Sequence, residues 1–237
     1  MVHADSALLP SGLKSKSDFY THLQTQLSSL LSGQRSWVTN LSNASSILYH
    51  SLNAWRGAKH DGDVTGGKQL NWAGFYLLSG LLPEAGRQEL LTIKKKKVPT
   101  LVLGPFHGMP ACQAIPSIPG KGVCADGSSL IPPRAIRVDD CDAYPGHIAC
   151  DSLSRSELVI PLVVPLSKLS HRELVQRARQ QPDSEDEAVT AWSGRGDGDE
   201  IIVGLLDIDC VDERGFDDED QKGLEECVRI IQESCDW

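Results

Sequence analysis

The fold of this chain is decided by the run EIIVGLLDID at residues 200–209, which is almost continuous in isoleucine, valine and leucine. A second run of the same kind, ELVIPLVV, occupies residues 157–164. Apolar runs of this length are typical of strands that are covered on both faces of a sheet. The two runs therefore predict a pair of central strands in a buried sheet.

Weaker β-rich segments precede this pair and predict further strands. Residues 71–78 are aromatic and apolar, and residues 100–106 form another β-rich run. Residues 111–118 and 135–138 have shorter patterns of the same type. Together these segments predict a sheet of roughly six strands.

Helical patterns flank the predicted sheet. Between residues 18 and 55, apolar side chains recur at spacings of three and four, with a break at Gly33. Near the C-terminus, an acidic first turn at residues 217–220 leads into an apolar stripe that ends at Ile231. This order of elements predicts an α+β fold with helices packed on an antiparallel sheet.

The length of 237 residues suits one large domain or two small ones. Residues 171–181 look helical, and the stretch at 182–199 is acidic and rich in glycine and serine. We interpret residues 167–199 as a surface insertion and not as a domain boundary. Residues 1–17 are predicted to be a loose tail, and residues 1–237 to form a single domain.

Composition and charge limit the partners of the protein. Hydrophobic residues make up 40% of the chain and charged residues 23%, as in ordinary globular proteins. The net charge of −9 disfavours binding to nucleic acid and to anionic membranes. The sequence has no apolar run of transmembrane length and no signal-peptide pattern. The one basic run, at residues 94–97, is interpreted as a solvated hairpin or loop tip.

The seven cysteines indicate a reducing compartment. An odd number of cysteines without a secretory signal argues against a disulfide framework and favours the cytoplasm. No two cysteines have the Cys-x-x-Cys spacing of a zinc knuckle, and the single pair of His147 and Cys150 does not complete a tetrahedral site. The sequence therefore predicts no metal centre.

Three cysteines lie in loop-rich segments between predicted strands: Cys112, Cys124 and Cys150. Cys124 follows two glycines at a predicted helix start, where the helix dipole favours the thiolate. Near Cys150, His147 would lower the pKa of the thiol, whereas Asp151 would raise it. Because a free cysteine is usually a small buried hydrophobe, the residues alone leave a redox role and a packing role open.

Three carboxyl groups form a second set. Asp207 and Asp209 are two residues apart on one predicted strand and share a face, and Glu157 begins another strong strand. If these strands pair, the groups converge at one sheet end, where they would bind an ammonium group or hold a proton. The alternative is that all three are solvated strand ends. Trp72 and Tyr76, four apart on the first strand, would either wall a pocket or pack in the core.

Several blocks of the sequence resemble, in the same order, those of the free methionine-(R)-sulfoxide reductases, which are enzymes built on a GAF-type domain. The blocks are NWAGFY at 71–76, GPF at 104–106, AC at 111–112, GKGVC at 120–124, GHIACD at 146–151, SELVIP at 156–161 and LDID at 206–209. The matched region covers nearly the whole chain. The set of three cysteines makes the resemblance more specific than any single block.

The resemblance implies a six-stranded antiparallel sheet flanked by helices, in a homodimer whose substrate is free methionine (R)-sulfoxide. It implies that Cys150 is the nucleophile. Cys112 and Cys124 would serve disulfide formation and turnover, and which of them resolves first stays open.

The resemblance also implies a substrate site. Glu157, Asp207 and Asp209 would line it, beside an aromatic wall formed by Trp72 and Tyr76. One of the three acids, not yet distinguished from the others, would protonate the sulfoxide oxygen.

The mechanism that the resemblance implies continues with attack by Cys150 and release of methionine. The resulting sulfenic acid condenses with a second cysteine to form a disulfide. Thioredoxin, which draws its electrons from NADPH, reduces this disulfide by exchange. No metal and no organic cofactor is required.

The chain departs from the family pattern in two insertions, at residues 81–97 and 167–199, and in Ala125, where glycine is common. Because the second insertion leads into the strand of Asp207, we expect that it covers the pocket as a lid. Two rival functions stay open. A GAF-type sensor module would bind a small molecule without needing the three cysteines. A thiol switch without turnover would have no use for the three acids.

Overall fold

One sheet of six strands organises this computed structural model, which describes residues 4–58, 60, 62–83, 90–147, 151–195 and 198–237. The strands are β1 (Leu70–Leu78), β2 (Thr92–Ile93), β3 (Lys96–Lys97), β4 (Thr100–Gly108), β5 (Ala114–Pro116), β6 (Ile136–Val138), β7 (Ser156–Pro165) and β8 (Glu200–Cys210). The sheet order is β5–β4–β1–β8–β7–β6, and β2 pairs with β3 apart from it. Every neighbouring pair in the sheet is antiparallel, so the predicted α+β fold with six strands is confirmed.

The described residues also form six α-helices. They are α1 (Lys16–Leu31), α2 (Trp37–Gly57), α3 (Val123–Gly127), α4 (Arg172–Gln180), α5 (Glu187–Thr190) and α6 (Asp218–Glu233). The predicted break at Gly33 is confirmed, since this residue adopts a φ of +80° between the first two helices. Within the described ranges, no helix combines the length and the apolar character needed to cross a membrane.

The two central strands are buried as the sequence predicted. Residues of β7 and β8 carry apolar side chains on both faces, and almost all of them are inaccessible to solvent. Antiparallel sheets often leave one face in water, but here α2 and α6 pack on the sheet, α1 packs on α2 and α6, and α3 lies against β7. This double cover explains why the two runs read as continuous apolar segments.

Lys16, at the start of α1, ties the N-terminal helix to α6. Its ammonium group lies 2.8 Å from Asp217, 3.1 Å from Asp220 and 3.1 Å from Asp63. The side chain is 5% exposed, and removing one partner of such a buried ion pair costs roughly 3–5 kcal/mol. The first helix thus begins inside residues 1–17, the segment that the sequence predicted as a loose tail.

The basic run lies at the tip of the β2–β3 hairpin, as predicted. Lys94 and Lys95 form its two-residue turn with φ values of 48° and 66°. Two successive residues with positive φ are the mark of the turn that matches the twist of a hairpin.

Residues 166–199 connect β7 to β8 and carry α4 and α5. Their C-terminal part is anchored in the core by Trp192, which is buried beneath Gly80. A Cβ atom added at Gly80 would lie 2.5 Å from the indole ring, so the close contact requires glycine there. The structure thus shows how this connection is held, while its role as a lid stays a prediction.

Candidate active site

Three neighbouring strands place one row of side chains across the sheet. Asp209 of β8 lies opposite Trp72 of β1 on one side and opposite Glu157 of β7 on the other. Directly paired residues of antiparallel strands project to the same face, and Asp207, two residues along, projects there too. The predicted convergence of the three carboxyl groups is confirmed, because the central strands pair in this register.

Helix α3 covers the row and brings Cys124 onto it. A Cβ atom at Gly127 would lie 2.4 Å from the side chain of Val159, so the helix packs directly on β7. The Sγ atom of Cys124 lies 3.3 Å from Asp207 Oδ2 and 3.5 Å from Glu157 Oε1. The fold therefore joins one of the three predicted cysteines to two of the three predicted acids.

The environment of Cys124 favours the neutral thiol. Burial raises its pKa well above the ordinary value, and the nearby Asp207 and Glu157 raise it further. A helix does start at this point, as predicted, but the inference that its dipole would favour the thiolate is wrong. A helix of five residues provides a weak field, whereas the thiol is only 8% exposed and faces carboxyl groups.

Both aspartates of β8 also hold their protons more tightly than exposed aspartates do. Burial raises the pKa of Asp207 well above its ordinary value, with Asp209 and Glu157 adding to the effect. Burial and then Glu157 raise the pKa of Asp209, while a hydrogen bond from Ser154 acts in the opposite direction. The Oδ1 atom of Asp207 is buried and has no hydrogen-bond partner among the described residues. The site thus contains carboxyl groups that can act as acids, and one carboxyl oxygen, Asp207 Oδ1, that can still accept a hydrogen bond.

His147 joins the site from the loop that follows Tyr144. Its Nε2 atom lies 3.5 Å from Glu157 Oε2, and this hydrogen bond raises the pKa of the imidazole. Behind it lies Cys141, which is 0% exposed and whose pKa is raised by burial and then by Glu157. The sequence indicates His147 only as a neighbour of Cys150. Its contact with Glu157 forms on folding and produces no short motif in the sequence.

These groups surround a small cavity of about 30 Å³. This volume is close to the share of one water molecule in the liquid. The cavity is lined by Ile115, Lys121, Gly122, Val123, Cys124, His147, Ser154, Glu157, Asp207 and Asp209. Of the predicted site residues, Cys124 and all three acids therefore line one cavity.

The predicted aromatic residues are buried beside this row. The ring centroids of Trp72 and Tyr76 lie 5.9 Å apart, and Phe106 stacks on Trp72 at 5.4 Å. Tyr76 donates a hydrogen bond of 2.9 Å to the carbonyl oxygen of Cys112, which ties the half-buried Cys112 segment to the sheet. The indole nitrogen of Trp72 is buried without an acceptor among the described residues. The substrate-binding role of the two rings stays a prediction.

The predicted nucleophile, Cys150, lies outside the described residues. Directly after it, Asp151 is held by the side-chain amide of Asn71, which donates bonds of 2.9 Å to Asp151 Oδ2 and to Ser154 Oγ. Sequence reasoning missed Ser154, which carries no signal beyond its position before β7. Among the described residues, Cys124, Cys141, Cys210, Cys227 and Cys235 are free thiols.

Comparisons with known proteins identify a similar enzyme. No protein-family model matches the chain. The free methionine-R-sulfoxide reductase of Saccharomyces cerevisiae is 33% identical over 233 residues, which are 98% of this chain and 94% of the yeast protein.

Two solved structures are similar over almost their full length. The structure of a GAF domain matches with a TM-score of 0.67 and 31% identity, over 100% of this chain and 98% of that one. The free methionine-R-sulfoxide reductase from Neisseria meningitidis, in complex with its substrate, matches with a TM-score of 0.60 and 26% identity, over 96% of this chain and 95% of that one.

Proposed function

The chain belongs to the free methionine-R-sulfoxide reductases, and from this premise we propose how its residues reduce free methionine (R)-sulfoxide to methionine. The observation that carries the proposal is the contact of Cys124 with Asp207 and Glu157 at the wall of one cavity. A thiol and carboxyl groups are the electron donor and the proton donors that reduction of a sulfoxide needs.

Charge complementarity orients the substrate. The buried acids of β7 and β8 attract the ammonium group of a free amino acid, and Asp207 Oδ1 provides an acceptor that has no other partner among the described residues. Lys121, which also lines the cavity, attracts the carboxylate. A methionine residue within a protein has neither charge, which explains the selection of the free amino acid.

Substrate entry requires the cavity to widen. A volume of about 30 Å³ accommodates a water molecule but not an amino acid. The wall formed by Lys121 and Gly122 is the segment best suited to move, because Gly120 and Gly122 adopt φ values of +77° and +106°. Opening of this turn would separate Cys124 from the acids and admit the sulfoxide.

The chemical step transfers one oxygen atom and two electrons. A protonated aspartate, Asp207 or Asp209, donates its proton to the sulfoxide oxygen and makes the sulfur electrophilic. The thiolate of Cys150 attacks the sulfur, methionine leaves, and the oxygen, with the proton from the aspartate, remains on Cys150 as a sulfenic acid. The raised pKa values of both aspartates keep this proton available at a higher pH than in exposed aspartates.

A resolving thiol then attacks the sulfenic acid, and water leaves as the disulfide forms. Cys124 is the first partner in this proposal, since its sulfur lies 3.3 Å from Asp207, which is deprotonated after the first step and accepts the thiol proton. Cys112 then exchanges with Cys124 and presents a more accessible disulfide to thioredoxin. Thiols and acids suffice for this cycle, so we propose that it needs no metal and no organic cofactor.

Two further parts of the proposal concern the assembly and its location. The five free thiols at Cys124, Cys141, Cys210, Cys227 and Cys235 fit a reducing compartment, and we assign the protein to the cytoplasm. We assign it to a homodimer on the resemblance to its family. Light scattering of the reduced protein at several concentrations tests the dimer, and a monomer at every concentration would disprove it.

A coupled assay tests the reaction. Reduced protein, free methionine (R)-sulfoxide, thioredoxin, thioredoxin reductase and NADPH should give substrate-dependent NADPH oxidation, and Cys150→Ser should abolish it. The (S)-sulfoxide and a peptide containing methionine sulfoxide serve as control substrates. If the folded wild-type protein binds the (R)-sulfoxide but never reduces it, the protein is a sensor module and not a reductase.

A further inference from the structure

Three side chains at the cavity are arranged as a metal ion would require. Cys124, Glu157 and Asp207 each offer one ligand atom, and these atoms lie within 4.8 Å of one another. The sulfur lies 3.5 Å and 3.3 Å from the two carboxyl oxygens. In a tetrahedral zinc site, with Zn–S near 2.3 Å and Zn–O near 2.0 Å, sulfur and oxygen ligands are about 3.5 Å apart. Both sulfur-to-oxygen distances therefore match such a site before an ion enters.

A second feature of the site points to a cation. Asp207 is 6% exposed, and its Oδ1 atom is buried without a hydrogen-bond partner among the described residues. This oxygen belongs to the same carboxyl group as the Oδ2 atom that faces Cys124. A buried carboxyl group with an oxygen that receives no hydrogen bond is costly, and a cation bound to that group reduces the cost. The cavity of about 30 Å³ holds an object of the size of a water molecule, which an ion matches and an amino acid exceeds.

We propose that the reduced protein binds Zn²⁺ through Cys124 Sγ and one oxygen each of Glu157 and Asp207, with water as the fourth ligand. The ion is an inhibitor and not a cofactor. It occupies the oxygens that attract the substrate ammonium group and the sulfur that forms the disulfide. The inhibition rests on the proposed function, whereas the binding itself does not.

His147 supports this site from behind the ligands. Its Nε2 atom lies 3.5 Å from the second oxygen of Glu157 and leaves Oε1 facing Cys124. Outer partners of this kind orient a carboxylate ligand, and their loss lowers metal affinity by roughly 10- to 100-fold.

A competing set of ligands lies next to this one and is less suited to the ion. Cys141, His147 and Glu157 also bring their ligand atoms within 4.8 Å of one another. The side chain of Cys141 is 0% exposed, whereas Cys124 is 8% exposed at the cavity wall. An ion that enters from the cavity therefore meets Cys124 first.

Neither set of candidate metal ligands can be recognised from the spacing of its residues along the chain. Cys124, Glu157 and Asp207 come from α3, β7 and β8, so they produce no short motif of the zinc-knuckle type. The prediction that the protein has no metal centre rested on the absence of such a motif.

Cobalt substitution tests the site without relying on activity. Reduced full-length protein is titrated with Co²⁺ without oxygen, and a thiolate ligand produces a sulfur-to-metal charge-transfer band that Zn²⁺ then displaces. We expect this band in the wild-type protein, in Cys141→Ser and in the control Cys227→Ala, and its loss in Cys124→Ser. A wild-type protein without the band, or a Cys124→Ser variant that retains it, would overturn the proposal.

Carboxylate variants provide a second test, should Cys124→Ser be unstable. Asp207→Asn and Glu157→Gln should keep the band and bind Zn²⁺ at least tenfold more weakly, as measured against a chromophoric chelator, and His147→Gln should bind roughly tenfold more weakly. Unchanged affinity in both carboxylate variants would exclude the site.

Inhibition is measured separately in a single turnover that contains no thioredoxin. The amount of methionine formed from stoichiometric (R)-sulfoxide should fall as Zn²⁺ saturates the site found in the Co²⁺ titration. A chelator should restore methionine formation. If Zn²⁺ binds but methionine formation is unchanged, the proposed inhibition is wrong and the proposed binding site stands. A protein that binds Zn²⁺ but reduces no sulfoxide under any condition would contradict the proposed function and leave the metal site intact.

Discussion

The sulfur of Cys124 lies 3.3 Å from Oδ2 of Asp207, so a buried thiol and a buried carboxyl group are within proton-transfer distance. The pKa of the thiol is raised by burial and by the nearby acids, which makes Cys124 a poor nucleophile unless a base removes its proton. Asp207 is that base once it has given its own proton to the sulfoxide. One carboxyl group thereby links the two halves of the proposed cycle.

The first prediction follows from this contact. Asp207→Asn cannot accept the thiol proton, and loss of a general base slows a step by roughly 100- to 10,000-fold. We expect methionine release to slow and disulfide formation to slow as well, with sulfenic acid detectable by a dimedone-type probe. Rapid-quench mass spectrometry follows both steps in a single turnover.

The matched control for this variant is Asp199→Asn, which removes an exposed carboxyl group before β8. It should leave both steps unchanged. Disulfide formation at the wild-type rate in Asp207→Asn would show that another group activates Cys124.

The second prediction concerns the pH dependence of stability. Burial and Glu157 raise the pKa of Asp209 in the folded protein, whereas the unfolded chain titrates near 3.9. The folded state therefore binds more protons between these two values, and its free energy of unfolding falls as pH rises through that window. The contribution of protonated Asp209 to the free energy of unfolding is fully present below about pH 4. Above that pH it decreases by at most about 1.4 kcal/mol per pH unit.

Asp209→Asn should remove this penalty, because the amide keeps the shape of the side chain but does not ionise. We expect the stability of the variant relative to the wild type to increase between pH 5 and pH 8, as measured by urea unfolding in reductant. A difference that stays constant with pH would show that Asp209 ionises normally in the folded protein.

The central strands and the placement of the three acids were predictable from the sequence, because they depend on local patterns of residues. The apolar runs at 157–164 and 200–209 predict the central strands, and the i, i+2 spacing of Asp207 and Asp209 predicts that they share a face. Their convergence with Glu157 needed only the assumption that these strands pair, which the register confirms.

Other features depend on long-range packing, which the sequence does not display. The direction of the pKa shift of Cys124 was predicted wrongly, because the helix start is a local signal while the burial and the carboxyl groups come from β7 and β8. The contact of His147 with Glu157 and the bonds of Asn71 to Asp151 and Ser154 likewise arise only on folding.

The third prediction concerns Arg195, which anchors the connection between β7 and β8 beneath the segment that carries Cys124. Its guanidinium donates to the carbonyl oxygen of Ser128, at the end of α3, and to Ser117 Oγ and O at 2.8 Å and 2.9 Å. The side chain is 3% exposed, and burial lowers the pKa of the guanidinium to about 10. Without it, these buried acceptors lose their donors.

Arg195→Met should lower the free energy of unfolding by about 1–3 kcal/mol for each acceptor left without a donor. We also expect slower disulfide formation at Cys124 in a single turnover, with a smaller effect on methionine release. Arg172→Met, which changes an exposed arginine of α4, is the control. Equal slowing of both steps in Arg195→Met would indicate a general loss of structure and not a local role.

The fourth prediction concerns Asn71, whose amide holds the chain directly after Cys150. It donates to Asp151 Oδ2 and Ser154 Oγ, both at 2.9 Å, and Ser154 in turn hydrogen-bonds to Asp209. Asn71→Asp replaces the donor by a carboxylate that faces Asp151 and repels it. The segment after Cys150 is then no longer fixed to β1, and we expect the proposed attack by Cys150 to be slower.

We expect kcat to fall by at least tenfold in Asn71→Asp, with a smaller change in KM, because the acids that attract the substrate stay in place. Repulsion between the two carboxylates also predicts partial recovery at low pH, where one of them is protonated, and recovery in the double variant Asn71→Asp, Asp151→Asn. Steady-state kinetics from pH 5 to pH 8 distinguish this outcome from simple instability. A uniform loss at every pH, with no recovery in the double variant, would mean that Asn71 acts through the packing of β1 and not through its bond to Asp151.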